Sequence, residues 1–411
     1  MVRLYATMIR LLYAGAKRSM STKAQKVYVV SACRTPIGSY RSSLAPLKAP
    51  KLGSIAIAAA VQKSGISPLA VQEVYMGHVL QAFTGQAPAR QAALMAGLDV
   101  STPATTINKV CASGLKATML ASQSLALNYR QVMVAGGMES MSNAPFYLAR
   151  EEPSYGGTKL HDGLVHDGLL DAMNEILMGE CAERTAVEHG ISRKDQDAYA
   201  ILSYRRSADA WKKNIFQEEV VPVEVKHKKG QTIVCVDEEY RKCDFSRFGS
   251  LKPAFVKENG TITAANASTL NDGACAMVLA NEKGLEQTGA KPMAEVISFG
   301  DNAVDPIDFS IAPVKAVEYV LEQAGLRKED VTLWEINEAF SVTALANIKL
   351  LDLDPERVNV HGGAVSLGHP IGMSGARLVT HLVHVLNSGE FGLAAACNGG
   401  GGASAVLIKK L

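Results

Sequence analysis

The sequence is short of several features that would place it in a specialised class of protein. No apolar run approaches the roughly 18 residues that a membrane-spanning helix needs, so no membrane span is predicted. The net charge is only +2 and no long basic block occurs, which argues against nucleic acid as a partner. The seven cysteines are an odd number without metal-type spacing, so we expect free thiols in a reducing compartment.

Acidic residues are absent before Glu73, and the first 23 residues combine this absence with basic and apolar positions at helical spacing. Such segments are typical of mitochondrial transit peptides, so we assign 1–23 to one and expect the mitochondrial matrix; the alternative is a disordered basic tail. Removing its five basic residues changes the net charge from +2 to −3. They are Arg3, Arg10, Lys17, Arg18 and Lys23.

Small and apolar residues dominate what the sequence does contain, since 47% of its 411 residues are hydrophobic and 35 are glycine. This composition is ordinary for an α/β enzyme with two or three domains. The same succession of predicted helices and strands occurs twice along the chain. Ala60–Ile66 is similar to Val320–Leu326 at an offset of 260 residues. Ser113–Gly114 is likewise similar to Ser374–Gly375, and each pair opens an apolar helix. We therefore predict two similar βα halves.

A polar stretch between the two halves has no counterpart in the repeat. It contains a predicted helix that begins with a capping box of Ser192 and Asp195. We interpret the stretch as an inserted loop domain that covers a site or binds the bulky part of a ligand. The predicted division is the transit peptide at 1–23, an N-terminal domain at 24–138 plus 261–287, the loop domain at 139–260 and a C-terminal domain at 288–411.

Cys111 is placed where a Thr-rich extended segment meets the predicted start of an amphipathic helix. The helix dipole and the unpaired N–H groups at such a position favour thiolate, which is the nucleophilic form of cysteine. Ala112, Ser113 and Gly114 leave space for a substrate to approach the sulfur. The alternative is a small buried core thiol, because most cysteines are packed in this way.

Three segments of the second half each end a predicted strand in a polar or glycine-rich turn, where α/β sites form. They contribute an amide at Asn337, an imidazole at His369, a second thiol at Cys397 and a run of glycine N–H groups. Each has a local explanation, as a helix cap, a turn, a core thiol or a flexible loop. Together with Cys111 they form a set that can transfer an acyl group. The segments are 333–340, 361–372 and 397–404.

These motifs resemble those of the thiolase family, in the same order and over essentially the whole chain from Val27 to Leu411. The resemblance implies an α/β fold of five αβαβα layers, made of two similar βα halves with an inserted loop domain. It also implies a homotetramer, coenzyme A thioesters as substrates and no redox cofactor. The matching segments are Val110–Gly114, Asn337–Phe340, Gly368–Gly372 and Cys397–Gly401.

The resemblance assigns catalytic roles to five residues. Cys111 is the implied nucleophile that carries the acetyl group, and His369 is the implied base that takes its proton. His369 and a water held by Asn337 are implied to stabilise the enolate oxygen, while Cys397 moves a proton to or from carbon. The main-chain N–H groups of Cys111 and Gly399 form the implied oxyanion hole.

Binding of coenzyme A is implied mainly for the loop domain. One departure from the family pattern is Leu177, which stands where many members have a histidine before the Met-Gly that opens a helix. We therefore expect one contact to the pantetheine part of coenzyme A to be lost or made differently. The residues implied in binding are Tyr204, Lys242, Cys243, Asp244, Arg247, Ser268 and Met178.

The Pro306–Phe309 segment resembles that of short-chain members of the family. The ring of Phe309 is expected at the wall of the acyl pocket, where it limits chain length yet accepts a methyl branch. The implied substrates are acetyl-CoA, acetoacetyl-CoA and 2-methylacetoacetyl-CoA, together with coenzyme A. The alternatives are a broad-range 3-ketoacyl-CoA thiolase and, in a different class, a non-catalytic acyl-CoA carrier.

A potassium ion is a further ligand that the resemblance implies. Main-chain carbonyl oxygens commonly hold this ion and leave little trace in side-chain identity. The alternative is that the same small residues pack against coenzyme A. The implied ligands are Tyr204, Ala264, Ala265, Ala267 and Val365.

Overall fold

The structure is a computed structural model that describes residues 24–152, 155–228 and 230–411. The predicted transit peptide, 1–23, lies outside the described residues. Within the described residues, no helix combines the length and the apolar character needed to cross a membrane.

A mixed sheet of ten strands forms the centre of the molecule, in the order β14-β15-β16-β13-β1-β12-β5-β3-β4, with β2 paired to β12. Its two halves join where β1 pairs with β13. The strands of the first half are β1 (Val27–Arg34), β2 (Gly38–Ser39), β3 (Glu73–Gly77), β4 (Ala104–Ile107), β5 (Val132–Ser140) and β12 (Asn271–Asn281). Those of the second half are β13 (Ala294–Ala303), β14 (Val331–Ile336), β15 (Phe391–Asn398) and β16 (Gly402–Lys410).

Ten α-helices cover the sheet or lie between its halves in the described part of the chain. They are α1 (Ala49–Ser64), α2 (Pro88–Met95), α3 (Ser113–Ala126), α4 (Met178–Glu188), α5 (Arg193–Lys212), α6 (Glu282–Thr288), α7 (Ala312–Ala324), α8 (Ser341–Leu351), α9 (Ala364–Leu367) and α10 (Ile371–Val385). Helix α1 packs outside the first half and α7 outside the second, while α3 and α10 contact each other and both halves. This stacking produces five layers.

The two middle helices approach each other closely at their glycines. A Cβ on Gly114 would lie 2.8 Å from the Ala376 nitrogen, and a Cβ on Gly375 would lie 2.7 Å from the Leu115 nitrogen. Both distances are too short for any side chain, so the contact requires glycine on each helix. The Ser-Gly pairs that repeat in the sequence therefore mark the crossing of α3 and α10.

Strand β1 is longer than the sequence suggests. From the sequence alone we predict a strand at Val27–Val30 and a turn over residues 31–38, but β1 continues to Arg34, which pairs with Cys275 of β12. The Arg34 side chain is fully buried and contacts Glu219 and Asp237, at 2.6 and 2.8 Å. Arg34 can remain in the buried strand because the carboxylates of Glu219 and Asp237 pair with its charge.

The stretch between the halves contains helices α4 and α5 and three pairs of short strands. The capping box at the start of α5 is confirmed: Ser192 Oγ accepts the Asp195 N–H, and the Asp195 carboxylate accepts the Ser192 N–H at 2.9 Å. A π-helical turn, Val165–Leu169, also occurs here. The strands are β6 (Phe146–Tyr147), β7 (His161–Asp162), β8 (Leu170–Asp171), β9 (Ile176–Leu177), β10 (Val223–His227) and β11 (Gly230–Val234).

A buried chain of ionisable groups attaches this stretch to both halves. Glu219 receives Arg34 of β1 on one oxygen, and its other oxygen lies 2.9 Å from His381 Nδ1 on α10. His381 Nε2 in turn lies 2.9 Å from His361 Nδ1, just before α9. Because removing one partner leaves an uncompensated buried group, we expect this chain to tolerate substitution poorly.

The first prediction is that the protein becomes less stable in acid, in part because of His361. Burial, together with the neighbouring His381, lowers the pKa of His361 from its ordinary 6.5 to about 4. The folded chain therefore binds this proton more weakly than the unfolded chain, so the contribution to stability is complete above the ordinary value and is lost as the pH falls towards 4. Allowing for partial exposure, we expect His361 to account for about 1 kcal/mol of lost unfolding free energy.

The loss is measured by comparing the free energy of unfolding in urea at neutral pH with that near the lowered pKa of His361. The His361→Asn variant should show a smaller drop across the same window, because its side chain does not titrate. An equal drop in the variant and the parent chain would contradict the assignment to His361.

Candidate active site

Cys111 lies on a tight turn two residues before α3 begins. Val110 has a φ of 45°, in the left-handed region that a β-branched residue rarely adopts. Ser113 holds the turn: its Oγ accepts the Lys109 N–H at 2.8 Å and donates to the Val110 carbonyl at 2.5 Å. Strain of this kind costs about 1–3 kcal/mol and persists where the surroundings enforce it, as at reactive groups.

Burial keeps the Cys111 thiol neutral. It raises the pKa of Cys111 to about 11, although hydrogen bonds from the main-chain N–H groups of Gly399 and of Cys111 itself act in the opposite direction. The charge of the nearby Glu139 carboxylate raises the pKa further. The structure therefore does not support the expected thiolate in the resting site, because desolvation outweighs these two hydrogen bonds. The thiol needs a base.

His369 has the protonation state of such a base. Its Nδ1 lies 2.6 Å from Ser374 Oγ, and this hydroxyl donates its own proton to the Pro370 carbonyl at 3.0 Å. We therefore place the ring proton on Nδ1, which leaves Nε2 with a free lone pair. Burial, and next the charge of Arg377, lowers the pKa of His369 to about 4. Nε2 is buried and has no hydrogen-bond partner among the described residues.

The remaining predicted catalytic residues lie at the ends of β14 and β15. Burial raises the pKa of Cys397, and a negative charge on Cys111 would raise it further. Asn337 lies beside them, since its N–H donates to the Ala395 carbonyl at 2.9 Å. Both amide atoms of Asn337 are buried and unpartnered among the described residues, so the amide is free to hold a water or a substrate atom.

A cavity of about 210 Å³ opens in front of His369. Its wall is mostly apolar, and the structure places the predicted residues Met178 and Ser268 in it. Leu177 lines it as well, at the position where a histidine is expected from the family pattern. Such a cavity suits an apolar thioester arm next to a single basic nitrogen. Further lining residues are Met141, Val165, Leu169, Phe340 and Ile371.

Phe309 does not line this cavity, contrary to the expectation from the sequence. It is buried behind Phe340, with ring centroids 6.4 Å apart and ring planes at 72°. Phe340 forms the wall instead. The sequence identifies the segment of Phe309 but not which of the two rings faces the cavity, because that depends on how β14, β15 and α8 pack.

A second cleft, of about 230 Å³, lies beside the cavity, and Thr269 lines both. It brings together Tyr204 and the 242–247 turn, with the cations Lys242 and Arg247. Ala264 and Ala265 line the same cleft, whereas Ala267 lines the cavity next to His369. Val365 packs in one cluster with Tyr204 and Ala265.

Two contacts at the site are not predicted by the sequence motifs. Ser374 belongs to the repeated Ser-Gly pair in the sequence, and in the structure it orients His369. Glu338 belongs to the Asn337–Phe340 motif, and its buried carboxylate accepts hydrogen bonds from Ser203 Oγ at 2.8 Å, Tyr199 Oη at 2.9 Å and the Val365 N–H at 3.0 Å. Glu338 thus ties α5 to the loop that leads to His369. A serine five residues after a candidate base is the only local signal.

A partly buried thiol at a helix start, a neutral imidazole, a second, buried thiol and main-chain N–H groups in one site define a thiol-dependent acyltransferase. Comparisons with known proteins give the particular class. The thiolase N-terminal domain matches residues 27–283 and the thiolase C-terminal domain matches residues 290–410. The chain belongs to the thiolase family.

Relatives and a solved structure agree with this assignment. The chain is 60% identical over 396 residues to the mitochondrial acetyl-CoA acetyltransferase of Danio rerio, covering 96% of this chain and 94% of the relative. It is 60% identical over 389 residues to the mitochondrial acetyl-CoA acetyltransferase of Homo sapiens, covering 94% and 91%. The Acat5 thiolase of Ascaris suum, crystallised with coenzyme A, superposes with a TM-score of 0.91 at 50% identity, covering 94% of this chain and 100% of that one. The predicted family and fold class are confirmed.

The second prediction tests the orientation of His369. In the Ser374→Ala variant, Nδ1–H loses its acceptor, so the ring proton can move to Nε2 and block proton abstraction. We expect kcat to fall by about 10-fold to 100-fold with little change in KM. Steady-state kinetics measures this, and Thr380→Ala is the control, because it removes another buried hydroxyl of α10, which hydrogen-bonds Cys275. Equal losses in the two variants would contradict the proposed role.

Proposed function

We propose that this chain is an acetyl-CoA acetyltransferase that cleaves acetoacetyl-CoA with coenzyme A and, in reverse, condenses two molecules of acetyl-CoA. The observation that carries the proposal is the placement of Cys111 between the Gly399 N–H and the Cys397 thiol, with a neutral base at His369. The names of the relatives support the same substrate. A non-catalytic acyl-CoA carrier would not need a second thiol or an oriented base.

In the first step, His369 Nε2 takes the proton of Cys111, and the thiolate attacks the ketone carbon of acetoacetyl-CoA. The N–H groups of Cys111 and Gly399 stabilise the oxyanion that forms. The carbon–carbon bond then breaks, which leaves an acetyl group on Cys111 and the enolate of acetyl-CoA. Protonated His369 and a water held by Asn337 donate hydrogen bonds to the enolate oxygen. Cys397 gives its proton to the carbon and releases acetyl-CoA.

In the second step, coenzyme A enters, and its thiol transfers a proton to the Cys397 thiolate. The coenzyme A sulfur attacks the acetyl group on Cys111, and the same two N–H groups stabilise the oxyanion. The Cys111 sulfur leaves and recovers its proton from His369. Every proton that moves in the first step is thereby returned, so the cycle needs no redox cofactor.

The cleft and the cavity would bind different parts of the coenzyme A thioester. Lys242 and Arg247 supply positive charge at the cleft, where the phosphates of coenzyme A would bind, and Asp244 and Tyr204 lie beside them. The apolar cavity next to His369 would receive the pantetheine arm and the acyl group. Leu177 would contact the arm through its apolar surface alone, in place of a histidine hydrogen bond.

The third prediction is the substrate range. Because Phe340 lines the cavity of about 210 Å³ next to His369 and Phe309 packs against its ring, we expect no room for a long acyl chain. We expect cleavage of acetoacetyl-CoA and 2-methylacetoacetyl-CoA and no turnover of 3-ketodecanoyl-CoA, measured by the loss of substrate absorbance on adding coenzyme A. The Cys111→Ala variant should neither turn over nor retain labelled acetyl groups. Comparable turnover of the long substrate would favour the broad-range alternative.

We also propose a potassium site between the cleft and the loop that leads to His369. The residues fit, because the Ala264 and Ala265 carbonyl oxygens accept no main-chain hydrogen bond from any described residue. The Tyr204 hydroxyl, the Val365 carbonyl and the Ala267 carbonyl would complete the set. The ion would neutralise converging carbonyl dipoles. These residues would then hold the coenzyme A cleft and the His369 loop in one alignment.

The fourth prediction follows from this site. Replacing sodium with potassium at constant ionic strength should raise both activity and melting temperature, and Tyr204→Phe should reduce both responses. Tyr240→Phe is the control, since that ring stacks on Trp211 and is not a proposed ligand. Identical behaviour in the two salts would remove the ion from the proposal.

We further propose that the chain forms a homotetramer in the mitochondrial matrix. Strand β4 (Ala104–Ile107) is the last strand of the sheet order, so one of its edges has no strand beside it in the described part of the chain. An open edge suits pairing with a second copy, in keeping with a homotetramer. The relatives' names and the basic segment at 1–23 support the mitochondrial matrix. Residues 139–260 form the proposed loop domain between the 24–138 plus 261–287 domain and the 288–411 domain.

A further inference from the structure

Lys109, two residues before the nucleophile, reaches across to the opposite half of the molecule. Its ammonium group donates to Asp301 Oδ1 at 2.5 Å, to the Ala403 carbonyl at 2.8 Å and to Ser404 Oγ at 2.8 Å. Ser404 Oγ also donates to Asp301 Oδ1, at 2.6 Å. All three protons of the ammonium group are therefore used, and each goes to an oxygen of β13 or β16.

The acceptors of Lys109 belong to the strand pair that carries the second thiol. In the β15–β16 ladder, Ala403 is the direct partner of Cys397, and Ser404 is the partner of Ala396. Ladder partners move together because main-chain hydrogen bonds hold them in register. Lys109 thus connects the turn of Cys111 to the strands that position Cys397 and the Gly399 N–H.

A neighbouring lysine provides an internal comparison. Lys116, one helical step into α3, also pairs with Asp301, but no contact joins it to Ala403 or Ser404. The two lysines have the same side-chain exposure, 24%. They therefore share the ion pair with Asp301 and differ in their contacts to β16. The three hydrogen bonds of the Lys109 ammonium group all go to β13 and β16, so we expect Lys109 to act on Cys111 through geometry.

We propose that Lys109 is a positioning residue that sets the separation between Cys111 and the β15–β16 strand pair. The inference rests on the proposed function, in which Cys111, Cys397 and Gly399 act on the same acetyl unit. The strained φ of Val110 supports the proposal, because Ser113 holds the turn from the side of α3 and Lys109 holds it from the side of β16. The ion pair with Asp301 is secondary to the contacts with β16.

The fifth prediction compares Lys109→Met with Lys116→Met in the full-length purified chain. Methionine keeps the length and the apolar stem of lysine and removes the donors. We expect Lys109→Met to lower kcat for acetoacetyl-CoA cleavage by about 10-fold to 100-fold and to leave the KM for coenzyme A within about twofold. Lys116→Met should keep at least about half of kcat, because a partly exposed ion pair contributes little. Equal losses in the two variants would overturn the proposal.

The second measurement needs no turnover. Iodoacetamide alkylation of Cys111 as a function of pH reports the pKa of its thiol, which the Gly399 N–H lowers in the intact site. We expect the midpoint to rise by about half a pH unit or more in Lys109→Met and to stay unchanged in Lys116→Met. A general loss of stability would not shift this midpoint. An unchanged midpoint in Lys109→Met would overturn the proposal.

The alkylation profile also separates the inference from the proposed function. If the parent chain cleaves no ketoacyl-CoA, the proposed function fails, while the midpoint shift still tests Lys109. If Lys109→Met does not fold, Ser404→Ala replaces it, because this change removes one contact to β16 and keeps the Asp301 ion pair. The expected shift has the same direction and is smaller. A Ser404→Ala chain that matches its parent in both measurements would overturn the proposal.

Discussion

The close approach of α3 and α10 is the constraint on which the site depends. Gly114 and Gly375 let the two helices cross with main chain against main chain, and Gly372 lies beside the same crossing, its carbonyl 3.0 Å from where a Gly114 Cβ would lie. Cys111 precedes Gly114 by three residues, and His369 precedes Gly372 by three residues. The crossing therefore brings the thiol and the imidazole towards each other from opposite halves. A single Cβ at either helix would push the two halves apart and separate the pair.

Burial then decides the protonation of the resting site. It raises the pKa of Cys111 to about 11 and lowers the pKa of His369 to about 4, so both groups are neutral near physiological pH. A neutral thiol is a poor nucleophile and also a poor target for oxidation. In the proposed mechanism, negative charge develops only after substrate binds, on a carbonyl oxygen that the main-chain N–H groups of the site stabilise. In this mechanism, charge separation between Cys111 and His369 therefore belongs to the substrate-bound site.

The stretch between the halves acts as a support for the catalytic loop. Glu338 joins the loop to α5 through Ser203 and Tyr199, and the Arg34–Glu219–His381 contacts hold the same stretch from the other side. These are buried polar contacts, which cost desolvation and yet specify one arrangement. The cleft lies where this stretch meets Ala264, Ala265 and Thr269 of the first half, and the cavity also reaches Phe340 and His369 of the second half. In the proposed function, the substrate therefore binds beside the contacts that align the catalytic loop.

The sequence by itself determined the family, the paired halves and the identity of Cys111, His369, Asn337 and Cys397 as candidates. These features are local, because a motif, a capping box or a repeated Ser-Gly pair is complete within a few residues. The tertiary structure alone decided the charge state of Cys111, the order of Phe309 behind Phe340, the contact of Ser374 with His369 and the span of Lys109.

The charge state of Cys111 depends on desolvation, and the Phe309–Phe340 and Lys109 contacts join residues far apart in the chain. The Ser374–His369 contact spans five residues, but it forms only because the start of α10 turns the two side chains towards each other. Lys109 and Ser404 are separated by 295 positions, and no sequence period relates them. Strand β1 extends through Arg34 for the same reason, since its carboxylate partners come from the distant Glu219 and Asp237. Local pattern reports which face of an element is apolar, but burial and charge at a site are properties of the assembled chain.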